Sequence, residues 1–134
     1  MSGLVLKLSP KERVLVNRAV IENGDRRARL SIVTPNANIL RLRDAIHPEE
    51  ATTPVRRACY ATQLVLSGDF EAKEARLRLM RNIEELGQVF TDRESRDALA
   101  RAAEALLIDN HYQCLKALRS LLPREERLLS RQVQ

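Results

Sequence analysis

The hydrophobic period of this chain changes once, near residue 47, and that change limits the folds open to it. Before it, short apolar runs repeat with period two. Leu4-Val5-Leu6-Lys7-Leu8, Arg13-Val14-Leu15-Val16, Ala19-Val20-Ile21, Arg27 to Val33 and Ile39 to Arg43 are separated by breaks rich in Pro, Asn, Gly and Asp. This pattern predicts five short strands in a small antiparallel sheet. Two residues, Asn17-Arg18, separate the second and third runs, the length of a tight hairpin, although Gly would tolerate the second turn position better than Arg. Ala28, Leu30 and Ile32 fall on one face with Arg27, Arg29 and Ser31 on the other. In the fifth run Leu40 and Leu42 fall opposite Arg41 and Arg43.

Beyond His47-Pro48-Glu49-Glu50-Ala51 the period becomes helical. Thr53-Pro54 reads as a cap and first-turn proline, Gly68 as a C-terminal cap, and Asp69 as the cap of the next helix. Thr91 to Glu94 matches a capping box, and Asn110 with Gln113 could open a further helix. The short Asp109-Asn110 joint leaves open whether the third and fourth helices are one kinked helix. Pro123 stops the last helix or starts another, and Ser130 to Gln134 should fray. The expected fold is therefore α+β: a basic antiparallel β region over residues 1–47, then a bundle of three to four helices over 48–134. Aromatics make up only 3% of the chain, so its core must come from Leu, Val, Ile and Ala.

Charge follows the same division. Residues 1–47 carry nine basic against four acidic side chains, whereas residues 48–134 carry fourteen of each. The whole net charge of +5 thus lies in the strand-forming third, where it would attract a polyanion. The candidate RNA-binding residues are Lys7, Arg13, Arg27, Arg29, Arg41 and Arg43. Arginine suits the task, because its planar guanidinium pairs bidentately with phosphates and guanine edges and stacks on bases. No Phe, Tyr or Trp occurs in the first 47 residues, which disfavours the aromatic stacking of RRM and OB-fold sheets. The same arginines would equally well solvate the outer face of a half-buried sheet.

Catalytic patterns are lacking. The two histidines, His47 and His111, stand in different halves without neighbours at metal-ligand spacing, and there is no G-x-S-x-G elbow or phosphate-cradling glycine loop. Glu84-Glu85 and Glu125-Glu126 lie on helical segments, where solvated charge is the default. The reading is a non-enzyme without catalytic residues, metal or cofactor. Cys59 and Cys114 read as buried thiols. No apolar run is long enough to span a membrane, and the start Met1-Ser2-Gly3 shows no secretory leader, so a cytoplasmic location with no membrane partner is expected.

Residues 4–17, 19–25 (Ala-Val-Ile-Glu-Asn-Gly-Asp) and 32–38 (Ile-Val-Thr-Pro-Asn-Ala-Asn) closely resemble the FlbT family of flagellar regulators. So do Thr53 to Tyr60 and Leu64 to Asp69. That resemblance implies a post-transcriptional regulator of flagellin synthesis that acts on the 5′ untranslated region of flagellin mRNA, some members repressing and others promoting expression. The family has Asn-Gly where this chain has Asn17-Arg18. The strands alone are weakly similar to the carbon-storage regulators, which form interlocked β dimers. Leu4-Val5-Leu6, Glu12 and Arg43-Asp44-Ala45-Ile46 match that pattern. Lys7, Leu8 and Ser9 replace its Thr and two arginines, so only Arg43 carries over as an RNA-reading residue. A homo-oligomer is expected on that likeness. The alternative function is an adaptor that binds flagellin or another flagellar regulatory protein through the helical half.

Overall fold

A computed structural model describes residues 4–35 and 37–133; the expected leaderless start Met1–Gly3, Asn36 of the fourth break and Gln134 lie outside the described residues. Five strands come first: β1 Leu4–Leu8, β2 Arg13–Val16, β3 Ala19–Glu22, β4 Ala28–Ile32 and β5 Ile39–Arg41. Five helices follow: α1 Pro54–Ser67, α2 Ala72–Val89, α3 Arg93–Leu107, α4 His111–Arg119 and α5 Leu122–Val133. The α+β class and five strands agree with the sequence pattern. There are two sheets instead of one, however: an antiparallel β1–β4 ribbon and a three-stranded antiparallel sheet of order β3-β2-β5.

Alternation builds the ribbon. Leu6 and Leu8 are buried on β1 while Val5 and Lys7 are exposed, and on β4 Ile32 is buried while Arg29 and Ser31 are exposed. The β2–β3 hairpin closes through Asn17 (φ 46°) and Arg18 (φ 73°), the pair of positive angles of a type I′ turn. Arg18 therefore occupies a backbone region that disfavours a side chain. In partial compensation its Nη2 donates to the Gly68 carbonyl at 2.9 Å. A Cβ on Gly68, itself at φ 86°, would run into the Arg18 guanidinium.

β5 departs from the expected alternation. It ends at Arg41, and Leu42–Asp44 form a 3-10 turn, so Leu42 and Arg43 do not continue the strand. All three β5 residues are buried, because neighbours cover both faces. Ile39 packs with Leu6, Leu8, Val14 and Ile32, whereas Leu40 joins the core of the helical bundle. Tyr112 of α4 packs in turn against the strand core. Gln63 of α1 fixes the junction, accepting from the Ile46 N–H and donating to its carbonyl.

The helices start and stop where local chemistry dictates. Thr53 caps α1 by accepting from Arg56 N–H, Pro54 opens it, and Gly68 closes it in the left-handed region. Two expected caps differ. Asp69 accepts from Ser67 Oγ instead of capping α2, whose N-cap is Glu71; Asp92, not Thr91, caps α3 through Ser95 N–H. Glu125 is not solvated: it is buried, and its carboxylate accepts from Val55 N–H and Thr53 Oγ1, so α5 supplies an anion to the positive end of α1. Asn110 caps α4 through Gln113 N–H, and Asp109 at φ 57° separates it from α3, which settles the question of one helix or two. α5 runs to Val133, into the segment expected to fray, and makes the bundle one helix larger than expected. Cys59 and Cys114 are buried and unbonded, with burial pushing both thiols up to about 12.

Candidate nucleic-acid interface

The six candidate residues separate into three environments. Lys7, Arg27 and Arg29 come together. Lys7 on β1 stands directly opposite Arg29 on β4, and the two share with Arg27, Leu8, Ser9 and Ala28 a groove of about 450 Å³. All three basic residues are exposed, and none makes an ion pair among the described residues. Like charges directly opposite one another across a β pair destabilise it, by an amount on the order of 0.2–1 kcal/mol. The turn beside the groove is held by Asn23, whose Nδ2 donates to the Ser9 and Arg26 carbonyls.

Arg13 lies on the other sheet. It is directly opposite Glu22, to which its Nε donates at 2.8 Å, and this hydrogen bond holds the Glu22 carboxyl below the usual carboxylate range. Its charge is thus already answered across the hairpin. Lys11 is likewise paired, with Asp25 at 2.9 Å.

Arg41 and Arg43 do not share the outward face that alternation suggested. Arg41 is 9% exposed. Its Nε and Nη2 donate to the two carboxylate oxygens of Glu12 at 2.8 and 2.9 Å, and Nη2 donates also to the Lys7 carbonyl at 2.6 Å. Glu12 further accepts from Ser9 N–H. The Arg41 hydrogen bonds, aided by the Ser9 N–H and the neighbouring Arg43 charge, outweigh desolvation and lower the Glu12 carboxyl to about 2. Arg41 is therefore an interior brace that links β1, β2 and β5, not part of the exposed surface. Arg43 is half-exposed, with its Nε 3.6 Å from a carboxylate oxygen that Arg41 already engages. Tyr112, Lys116 and Arg119 of α4, which the charge count over residues 1–47 passed over, line a cleft with Arg41 and Arg43. Their i, i+4, i+7 spacing on one helix face was the signal in the sequence.

Other chemistry is sparse. Among the described residues no group of three or more His, Cys, Asp or Glu side chains is arranged to hold a metal ion, and no helix is long and apolar enough to cross a membrane. His111 opens α4 in a buried position, and burial lowers its tendency to protonate.

Residues 4–129 match the family model of the flagellar protein FlbT. The chain belongs to the FlbT family. It is 33% identical over 130 residues to a probable flagellum biosynthesis repressor protein FlbT of Rhodopseudomonas palustris (strain TIE-1), covering 96% of this chain and 98% of that relative. A probable flagellum biosynthesis repressor protein FlbT 1 of Bradyrhizobium diazoefficiens is 35% identical over 128 residues, covering 94% of this chain and 84% of the relative. A Caulobacter sp. (strain K31) relative with the first description is 28% identical over 126 residues, covering 94% and 95%. No solved structure gives a significant match. Membership in this family makes the chain a flagellar regulator.

Proposed function

We propose that this protein represses flagellum biosynthesis after transcription, by binding the 5′ untranslated region of flagellin mRNA through the β1–β4 ribbon. The direction of control follows the descriptions of the relatives. The observation that carries the RNA contact is the meeting of Lys7, Arg27 and Arg29 in one groove without an acidic partner among the described residues. A fold gains nothing by setting Lys7 across from Arg29, and a phosphate chain would turn that repulsion into attraction. Residues that break a local rule without compensation tend to mark functional sites. Arg43 adds to the positive field from the junction, whereas Arg13 is neutralised by Glu22; Arg41 acts by holding Glu12 and the Lys7 backbone in place.

The test is fluorescence anisotropy with labelled flagellin leader RNA over a range of salt. Lys7→Gln with Arg29→Gln should weaken binding and lower the slope of log affinity against log salt by about 0.7 for each cation removed. Unchanged affinity and slope in a folded double variant would rule out this groove.

A protein-binding role through the helical half has one observation in its favour. Leu77, Val89, Leu107 and Ile108 are 59–73% exposed on α2 and at the end of α3. Flagellin or another flagellar regulatory protein retained by the intact chain after RNase treatment, and lost on Leu77→Ser, would support that role.

A further inference from the structure

A second basic cleft, of about 230 Å³, lies between α4 and the segment formed by β5 and its 3-10 turn. Arg41, Arg43, Lys116, Arg119, Tyr112 and Asp44 line it. The cations are only partly answered. Arg41 is committed to Glu12. Arg119 reaches across the cleft, its Nη1 donating to the Asp44 carbonyl at 2.8 Å and its Nη2 lying 3.5 Å from the Asp44 carboxylate. Arg43 is 55% exposed and has only the distant, shared contact with Glu12. Lys116 is exposed and forms no ion pair among the described residues. Four cations thus meet two carboxylates, which leaves two positive charges uncompensated in a partly enclosed space.

The aromatic ring gives the cleft a second chemistry. Tyr112 is half-buried and packs against the strand core, and it lines the cleft together with Arg41. Its ring is therefore fixed at the edge of the cationic lining. Guanidinium and ammonium donors converging from a helix and a turn suit a phosphate, and a fixed aromatic face suits a base or sugar. The volume lies below the ~300 Å³ at which pockets for drug-sized ligands begin, so the space suits the phosphate and part of the sugar or base of one nucleotide, not a folded nucleic-acid element.

We propose that this cleft is a nucleotide-phosphate site, in which Arg43, Lys116 and Arg119 hold the phosphate and Tyr112 flanks the sugar or base. Two sources supply that chemistry: one nucleotide of a bound transcript, or a free nucleoside 5′-phosphate. The first rests on the RNA-binding reading above and extends it from the ribbon to the junction. Arg41 provides the structural link, since it lines this cleft and bonds the backbone of Lys7 in the other groove. The second stands without that reading.

The experiment uses the full chain with two probes: adenosine and guanosine 5′-monophosphate by calorimetry, and labelled flagellin leader RNA by anisotropy. The variants are Lys116→Glu, Arg43→Gln, their combination, and Tyr112→Leu, each checked for an intact fold by circular dichroism. If a transcript nucleotide fills the cleft, the combined variant loses about tenfold or more in RNA affinity, and the monophosphates bind weakly or not at all. If a free nucleotide fills it, monophosphate binding is measurable in the parent and lost in the combined variant, with RNA affinity unchanged. Tyr112→Leu should weaken whichever ligand is bound. Should Arg43→Gln disturb the fold through Glu12, Lys116→Glu alone decides, because that side chain is exposed and forms no ion pair among the described residues. Folded cleft variants that leave both probes unaffected, or a parent that binds neither, overturn the site. RNA binding that depends on Lys7 and Arg29 but not on the cleft, in a parent that binds no monophosphate, would overturn the site and spare the RNA reading; monophosphate binding without RNA binding would do the reverse.

Discussion

The strand region and the helical region are stabilised in different ways. The helices enclose a broad core in which Leu79, Leu106, Leu118 and Leu121 are almost wholly buried. Its segments interlock, with α1 packing on α2 and α4, and α3 packing on the same two helices. The strands bury far less: Leu6, Leu8, Val14, Ile32 and Ile39 form a small core, and every residue of β3 is exposed. What the strand region lacks in apolar burial it supplements with the buried Glu12–Arg41 pair. A core of aliphatic side chains tolerates truncation in proportion to the volume lost, whereas a buried ion pair fails abruptly when one partner is removed. The difference teaches that charge in the strand region has two opposite roles. Arg41 is spent on the fold, while Lys7, Arg27 and Arg29 are left available.

The sharpest way to break this contrast is Arg41→Ala. It leaves Glu12 a buried carboxylate with only the Ser9 N–H and the distant Arg43 and should cost about 3–5 kcal/mol, read by urea unfolding. A loss below about 1 kcal/mol, typical of an exposed pair, would place Arg41 with the surface cations after all. Leu118→Ala in the helical core should cost about 2–5 kcal/mol through transfer and cavity terms, with RNA affinity of the folded protein retained.

Acid should act on the strand region through Glu12. Its carboxyl is near 2 in the folded chain against an ordinary value of 4.5. The stabilisation from this group is therefore complete above about 4.5 and is lost as pH falls from 4.5 toward 2. Thermal midpoints measured across that window should fall more steeply for the parent than for Glu12→Gln. Parallel slopes would contradict the pairing. The smallest effect, and the one of opposite sign, belongs to Lys7→Gln. Removing one of two facing cations should leave stability unchanged or raise it by about 0.2–1 kcal/mol while RNA binding weakens. A clear loss of stability would mean that Lys7 serves the fold.

Much of this arrangement was legible in the residues. The change of period near residue 47 fixed the α+β order, and Thr53-Pro54, Gly68 and Asn110 marked helix ends, because capping is local chemistry carried by adjacent residues. The ribbon cations were legible too, since alternation puts Arg27 and Arg29 on one face. Arg41 was not, because alternation assumes that one face of a strand meets solvent, and β5 lies between two cores. Glu12, twenty-nine residues away, gives no periodic sign that it will meet Arg41. Glu125 was missed for the same reason, as its partners Thr53 and Val55 lie some seventy residues earlier. The face of α4 carrying Tyr112, Lys116 and Arg119 was visible as a helical stripe, but only the folded chain brings it against Arg43.

The most direct test of the division between structural and available charge is photocrosslinking of the full chain to flagellin leader RNA, followed by peptide mapping. Crosslinks should concentrate on the peptides containing Lys7 and Arg27 to Arg29. Crosslinks confined to α2 and α3, or spread evenly over the chain, would contradict the account.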